Sequence, residues 1–221
     1  MKKLILTAIG ISALAVASAQ NSSFGPIHGI SHSWMTGTDN LKFKPGLTVG
    51  KSMVYSFNEN WGVGHDITVS FFEGYKTDVG SENFHYTQNA SYIRAPFKVI
   101  HFFGALGNRF RPKIYAGPSV GYLAWGTNRS VVDNGDVKNV AETKVTSVMK
   151  RWDLGAVAGT GFNFRVVPNI WLTADVAYYN GFLDVSKADS YNQNRNITAS
   201  LGLTFPIGTH MMHHKKAAET K

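Results

Sequence analysis

The chain has 221 residues, of which 43% are apolar, 13% aromatic and only 16% charged, with 22 glycines, no cysteine and a formal charge of +8. This composition excludes a disordered chain, a disulfide scaffold and thiol chemistry, and the length suits one large β domain. Lysines scattered over turns and the C-terminus, with no basic stripe interleaved with aromatics, argue against a nucleic-acid partner.

Residues 1–19 read as a secretory signal peptide: Lys2 and Lys3 form a basic start, 4–16 an apolar core, and Ala17-Ser18-Ala19 a small-residue cleavage site before Gln20. The apolar run falls short of the ~20 residues that a membrane-spanning helix needs. Loss of Lys2 and Lys3 with this leader lowers the charge from +8 to +6.

The first strand, 24–35, has no clean apolar face, because His28, Ile30, His32 and Trp34 oppose Ile27, Gly29, Ser31, Ser33 and Met35. A polar loop over 37–44 precedes a second strand at 45–57, where Leu47, Val49, Met53, Tyr55 and Phe57 share a face that Lys51 interrupts. Asn58-Glu59-Asn60 is turn chemistry. In the third strand Trp61, Val63, Ile67, Val69 and Phe71 alternate with Gly62, Gly64, Asp66, Thr68 and Ser70.

A loop is expected over 76–86, then a fourth strand with Ile93, Ala95, Phe97 and Val99 opposite Tyr92, Arg94, Pro96 and Lys98. Pro96 lacks a ladder donor and predicts a bulge or an edge. After a turn over 100–112 the fifth strand spans 113–125, and the longest loop is expected over 126–150.

The clearest signal lies in 151–179. Trp152, Leu154, Ala156, Ala158, Phe162 and Phe164 share one face, while Arg151, Asp153, Gly155, Gly159, Gly161 and Arg165 share the other. Val166-Val167-Pro168-Asn169 turns the chain, and Ile170, Leu172, Ala174, Val176 and Tyr178 then alternate with Trp171, Thr173, Asp175, Ala177 and Tyr179. A period of two over both runs is a β-hairpin. After a loop at 183–194, the eighth strand sets Ile197, Ala199, Leu201, Leu203 and Phe205 against Asn196, Thr198, Ser200, Gly202 and Thr204.

Every charge of the hairpin lies opposite the aliphatic face, and the polar face is small and glycine-rich. That inside-out pattern predicts an all-β fold, an antiparallel up-and-down transmembrane β-barrel of about eight strands, with polar side chains inward and short turns alternating with long loops. The expected domain is 20–208. Residues 209–221, after Pro206 and Gly208, have no alternation and are expected to form a flexible basic periplasmic tail.

Several stretches resemble the PorT-like family of Gram-negative outer-membrane proteins, those with an outer membrane protein β-barrel domain. They are Tyr92-Ile93-Arg94-Ala95-Pro96-Phe97-Lys98, Tyr115-Ala116-Gly117-Pro118-Ser119-Val120-Gly121-Tyr122, and Trp152-Asp153-Leu154-Gly155 through Gly159-Thr160-Gly161-Phe162 to 172–181. The resemblance implies an outer-membrane address, contact with outer-membrane lipid, and a structural, transport or secretion-associated role with periplasmic or secretion-system partners. The chain departs from the family pattern at Arg94, where a carboxylate is usual, at Lys51, and in continuing beyond its last strand.

The interior charges would be Asp66, Arg94, Lys98, Lys113, Arg151, Asp153, Arg165 and Asp175, a set that can fill a narrow lumen with ion pairs; Asp66 is expected opposite Arg94. A lipid-modifying enzyme would draw on His28, Ser31, His32 and Ser33, but His28 and His32 do not share a face with Ser31, and no acid partner is evident. A small porin is a further alternative; a soluble barrel for an apolar ligand would need the opposite polarity. The tail residues His210, Met211, Met212, His213 and His214 form a loose tract without selective metal-ligand spacing. No cofactor motif is present, no catalytic or metal site is assigned, and the sequons at Asn21, Asn89, Asn128 and Asn196 fall mostly in or beside strands.

Overall fold

A computed structural model describes residues 22–207 apart from 79–82, 106–107, 134, 136–137 and 189–190. The expected leader (1–19) and the expected tail (209–221) lie outside the described residues. The strands are β1 (Ser22–Met35), β2 (Pro45–Ser56), β3 (Trp61–Glu73), β4 (Lys76–Asp78), β5 (Phe84–Phe102), β6 (Phe110–Asp133), β7 (Lys138–Lys144), β8 (Trp152–Val167), β9 (Ile170–Gly181) and β10 (Asn194–Ile207), with one short helix α1 (Val145–Val148).

Eight of these strands, β1, β2, β3, β5, β6, β8, β9 and β10, close into an antiparallel barrel, because β5 pairs with β6 and β1 with β10. Closure follows from the solvent: in hydrocarbon an unpaired strand edge leaves backbone groups without partners, at several kcal/mol each. The short connections 57–60, 103–109 and 168–169 lie at the end where Ser22 pairs with Ile207, and the long connections lie at the other.

Alternation sorts each strand between lipid and lumen. On β10 Ile197, Leu201, Leu203 and Phe205 point outward, whereas Asn196, Gly202 and Thr204 are buried inside. The mixed pattern of β1 resolves the same way: Phe24, His28, Ile30, His32 and Trp34 face out, and Gly25, Gly29, Ser31, Ser33 and Met35 face in. Aromatic contacts ring both ends of the outer wall, with Trp61 and His101, and Phe110 and Phe162, at the short-turn end, and Trp34 and Tyr178, Phe71 and Trp125, and Tyr122 and Trp152 at the other. Such belts mark the two membrane interfaces. Lys51 stands on the outer wall of β2, its ammonium 6.0 Å from the Phe24 ring toward the short-turn end.

Two expected loops contain strands. β5 and β6 run well past the barrel, pairing out to Phe84 and Val132, and carry β4 and β7 on their flanks, so that a four-stranded sheet in the order β4-β5-β6-β7 projects from the long-loop end. β7 is exposed along its whole length, which leaves no buried face and hence no alternation to read. The expectation of a bulge or edge at Pro96 is also corrected: Pro96 sits mid-strand opposite Ser119 without a register shift, and the shift in β5–β6 pairing lies at Ser91 and Tyr92.

Leu201 lies midway along β10 on the lipid face and is 49% exposed. Leu201→Arg should destabilise the folded barrel by about 2–4 kcal/mol in bilayers, the cost of an arginine at the midplane. Val140→Arg, on the projecting β7, should leave folded yield unchanged in the same gel-shift and urea-unfolding assays. Equal tolerance of the two would reverse the assignment of faces.

Candidate functional site in the barrel lumen

The lumen is filled by side chains in layers. Nearest the long-loop end is an apolar cap of Met35, Ala90, Tyr92, Leu123, Val145, Met149 and Val185, with Tyr75 packed against it. Below it lies the first charge layer, built around Arg94. Its Nε and Nη2 donate to the two carboxylate oxygens of Glu73 at 3.1 and 2.6 Å, and Nη1 donates to Asp153 Oδ2 at 3.1 Å. Asn194 Nδ2 donates to the same Asp153 oxygen at 2.8 Å, and the guanidinium lies between the Tyr92 and Tyr179 rings, 4.5 and 4.2 Å from their centroids. Arg94, Glu73 and Asp153 are 6%, 1% and 1% exposed. Forked ion pairing combined with contact on aromatic rings is what an arginine can do and a lysine cannot.

A second layer uses lysines. Lys98 Nζ donates to Asp66 Oδ2 at 2.5 Å while Ser52 Oγ donates to Asp66 Oδ1 at 2.6 Å. Lys113 Nζ reaches Thr173 Oγ1 at 2.6 Å, Asn163 Oδ1 at 3.0 Å and the Asp175 carboxylate at 2.9 Å. At the long-loop mouth Lys44 Nζ donates to the Phe72 carbonyl and to Asn89 Oδ1 at 2.6 and 2.7 Å. With Lys44 counted, Arg94, Lys98 and Lys113 balance Glu73, Asp153, Asp66 and Asp175 charge for charge. Between the layers remains a cavity of about 100 Å³, lined by residues that include Thr48, Ser70, Tyr115, Ser119 and Thr198.

The glycines of the inner face make room for this filling. A Cβ on Gly155 would come within 2.7 Å of the Tyr179 ring, and one on Gly159 within 2.5 Å of the Tyr115 ring. The tyrosines therefore lie flat against bare backbone, and the wall is glycine-rich because the lumen is crowded.

Six of the eight charges read from the sequence, Asp66, Arg94, Lys98, Lys113, Asp153 and Asp175, sit in these two layers. The partners differ from the expectation. Arg94 pairs across the ladder with Thr68 and reaches Glu73 and Asp153, while Asp66 takes Lys98. Arg151 is not in the lumen: it is exposed at the rim and donates to the Leu123 carbonyl at 3.2 Å. Arg165 stands at the short-turn mouth over Trp171, ring centroid 5.7 Å away, outside both layers.

Glu73 was beyond the reach of alternation. Phe72 has φ +63 and the β3–β5 register shifts between Ser70 and Glu73, so a bulge turns Glu73 inward when strict parity would send it out. Gly74, at φ +114, is the residue that signals the irregularity. Lys44 and Asn194 were hidden in expected loops.

His28 and His32 lie on the lipid side of β1 and Ser31 and Ser33 on the lumen side. His32 stacks on Trp34 and Phe43 at 5.3 and 4.8 Å, and Ser33 donates to the Gly74 carbonyl at 3.1 Å. The wall of the barrel separates each serine from the imidazoles. Among the described residues no group of His, Asp and Glu is arranged to hold a metal ion.

Outside the membrane, short carboxylate contacts tie the long connections together. Hydrogen bonds from His85 and Lys42 hold the Asp78 carboxyl below its usual range. The Asp184 carboxyl is lowered to about 2, first by the Asn192 amide and then by Lys150. Because the folded Asp184 value lies below the unfolded one, the Asp184 contacts are complete above about pH 4 and are lost as pH falls through about 2.

A family model described as "Outer membrane protein beta-barrel domain" matches residues 9–187. No curated protein matches the chain. Among solved structures, Neisserial surface protein A is 18% identical with a TM-score of 0.48, over 83% of this chain and 97% of that one. The outer membrane protein OprG from Pseudomonas aeruginosa is 11% identical with a TM-score of 0.49, over 84% and 97%. Ail, the attachment invasion locus protein of Yersinia pestis, is 15% identical with a TM-score of 0.43, over 84% and 99%.

Arg94→Met strands two buried carboxylates and should destabilise the barrel by about 3–5 kcal/mol in urea unfolding. Adding Glu73→Gln and Asp153→Asn to it should recover most of that loss. Nζ–carboxylate contact at Asp184 is checked by following its carboxyl carbon with pH: a midpoint near 2 is expected, rising toward the ordinary aspartate value in Lys150→Ala.

Proposed function

Because the chain belongs to the outer membrane protein beta-barrel domain family and is an integral barrel of the outer membrane, we propose that it is a non-catalytic, non-conducting scaffold that carries the β4-β5-β6-β7 sheet outside the cell. The observation that carries this reading is the filling of the lumen by two layers of ion pairs under an apolar cap. Paired, hydrogen-bonded charges in a narrow barrel rigidify it and crowd its lumen, which supports an interior that stabilises the wall instead of moving solute. The projecting sheet then presents partners with a surface held rigidly above the membrane. The finer reading as a PorT-like protein, with periplasmic or secretion-system partners and outer-membrane lipid around it, is supported by the positions of the Tyr92 to Lys98 and Tyr115 to Tyr122 stretches on the paired strands β5 and β6.

The lipid-modifying alternative has its serines and histidines on opposite faces of β1, and the porin alternative meets two layers of ion pairs. Purified protein in planar bilayers should give negligible single-channel current. Large, stable, ohmic steps would overturn the scaffold reading in favour of a porin, and a variant lacking Arg94, Lys98 and Lys113 should leak more than the native barrel.

A further inference from the structure

At the short-turn end the lumen opens into a pocket of about 80 Å³ whose lining includes Ser22, Ser56, Arg111, Asn163, Trp171 and Thr204. Arg111 projects inward from the start of β6 and is 6% exposed. Its guanidinium lies over the Phe102 ring at 4.5 Å, and its Nη2 donates to the main-chain oxygen of Glu59. Among the described residues it has no carboxylate partner in an ion pair, unlike Arg94, Lys98 and Lys113 deeper in the barrel. Its Nε is buried and unpartnered, and so is the Ser22 hydroxyl that lines the same pocket.

The surroundings raise the positive potential at this mouth. Arg165 stands over Trp171, and Arg109 Nε donates to the Arg165 carbonyl at 3.2 Å, so three guanidinium groups gather at this end. In the described parts of the short turns and the strand ends that flank the pocket, the acid is Glu59, which offers Arg111 its main-chain oxygen while its carboxylate acts on the guanidinium through space without an ion-pair contact. A buried guanidinium edge without a carboxylate, beside an unsatisfied hydroxyl and in a pocket open toward the periplasm, is a set of donors waiting for an acceptor.

We propose that this mouth is an oxyanion site, taking one phosphate or carboxylate group of a periplasmic ligand with Arg111 Nε as its principal donor. The pocket accommodates a single such group, the rest of the ligand projecting into the periplasm. Arginine is suited to it because two parallel N–H bonds match the spacing of two oxygens on a phosphate or carboxylate. Ser22 and Ser56 hydroxyls stand along the wall as further donors, and Phe102 holds the guanidinium plane fixed. The site adds to the scaffold role and does not depend on it, since a conducting barrel would carry the same mouth.

The test uses the full mature barrel in zwitterionic-lipid nanodiscs, with arginine Nε–H resonances followed as inorganic phosphate or acetate replaces chloride at constant ionic strength. One Nε–H should shift saturably, and the same resonance should disappear in Arg111→Gln, whose folding is checked by heat-modifiable migration. Saturation by phosphate alone assigns a phosphoryl source, and saturation by acetate a carboxylate source; either supports the site. Arg111→Lys, which keeps the charge but loses the fork, should weaken binding about tenfold. Shifts that grow linearly with both probes, or a saturable response that survives Arg111→Gln at another arginine, would overturn the proposal. Should Arg111→Gln fail to fold, the native titration with Arg165→Lys and Arg109→Lys as the remaining assignments decides the same question.

Discussion

Everything in this molecule follows from the rule that a backbone amide in hydrocarbon must find its partner inside the protein. Pairing of β1 with β10 removes the last free edges of the sheet, and once the sheet is closed each residue has one of only two destinations, lipid or lumen. The lumen of an eight-stranded barrel is too narrow to stay empty and too polar to be filled with aliphatic side chains on these strands. Ion pairs and tyrosines are what remain.

The charges of the two layers are arranged so that none of them stands alone. A buried pair gains little over a well-packed apolar core, yet losing one member of it is expensive. Arg94 accordingly serves two carboxylates at once, and Lys113 is held by two neutral oxygens as well as by Asp175. Contact with the Tyr92 and Tyr179 rings fixes the plane of Arg94, and Gly155 gives Tyr179 the space to lie there. Wall, aromatic layer and ion pairs thus specify one another.

How much of this was legible in the sequence depended on whether a residue had two distinct environments on either side of its strand. The hairpin of β8 and β9 and the strand β10 announced themselves because lipid and lumen impose opposite chemistry on alternate residues. Outside the membrane that contrast vanishes: β7 is exposed on both faces, and the outer halves of β5 and β6 carry polar residues where the chain has no lipid to meet. Bulges defeated the reading in another way. At Phe72 one added residue exchanges in for out, so Glu73 falls on the wrong parity and the true partner of Arg94 was missed. Arg151 failed for a related reason, lying just before β8 begins, where strand parity no longer governs direction.

Lys51 on the outer wall acquires a meaning from its neighbours. Its ammonium is directed along the outer wall to the Phe24 ring, 6.0 Å away toward the short-turn end, and a lysine held among acyl chains extends its stem toward the nearest head groups and water. Shifting the barrel so that its short-turn end moved deeper into the hydrocarbon would lengthen that reach, and shifting it the other way would bury the polar long connections instead. One charge that looks misplaced in the strand pattern therefore acts as a depth gauge, biasing how far the protein stands in the bilayer and hence how far its projecting sheet is held from the membrane.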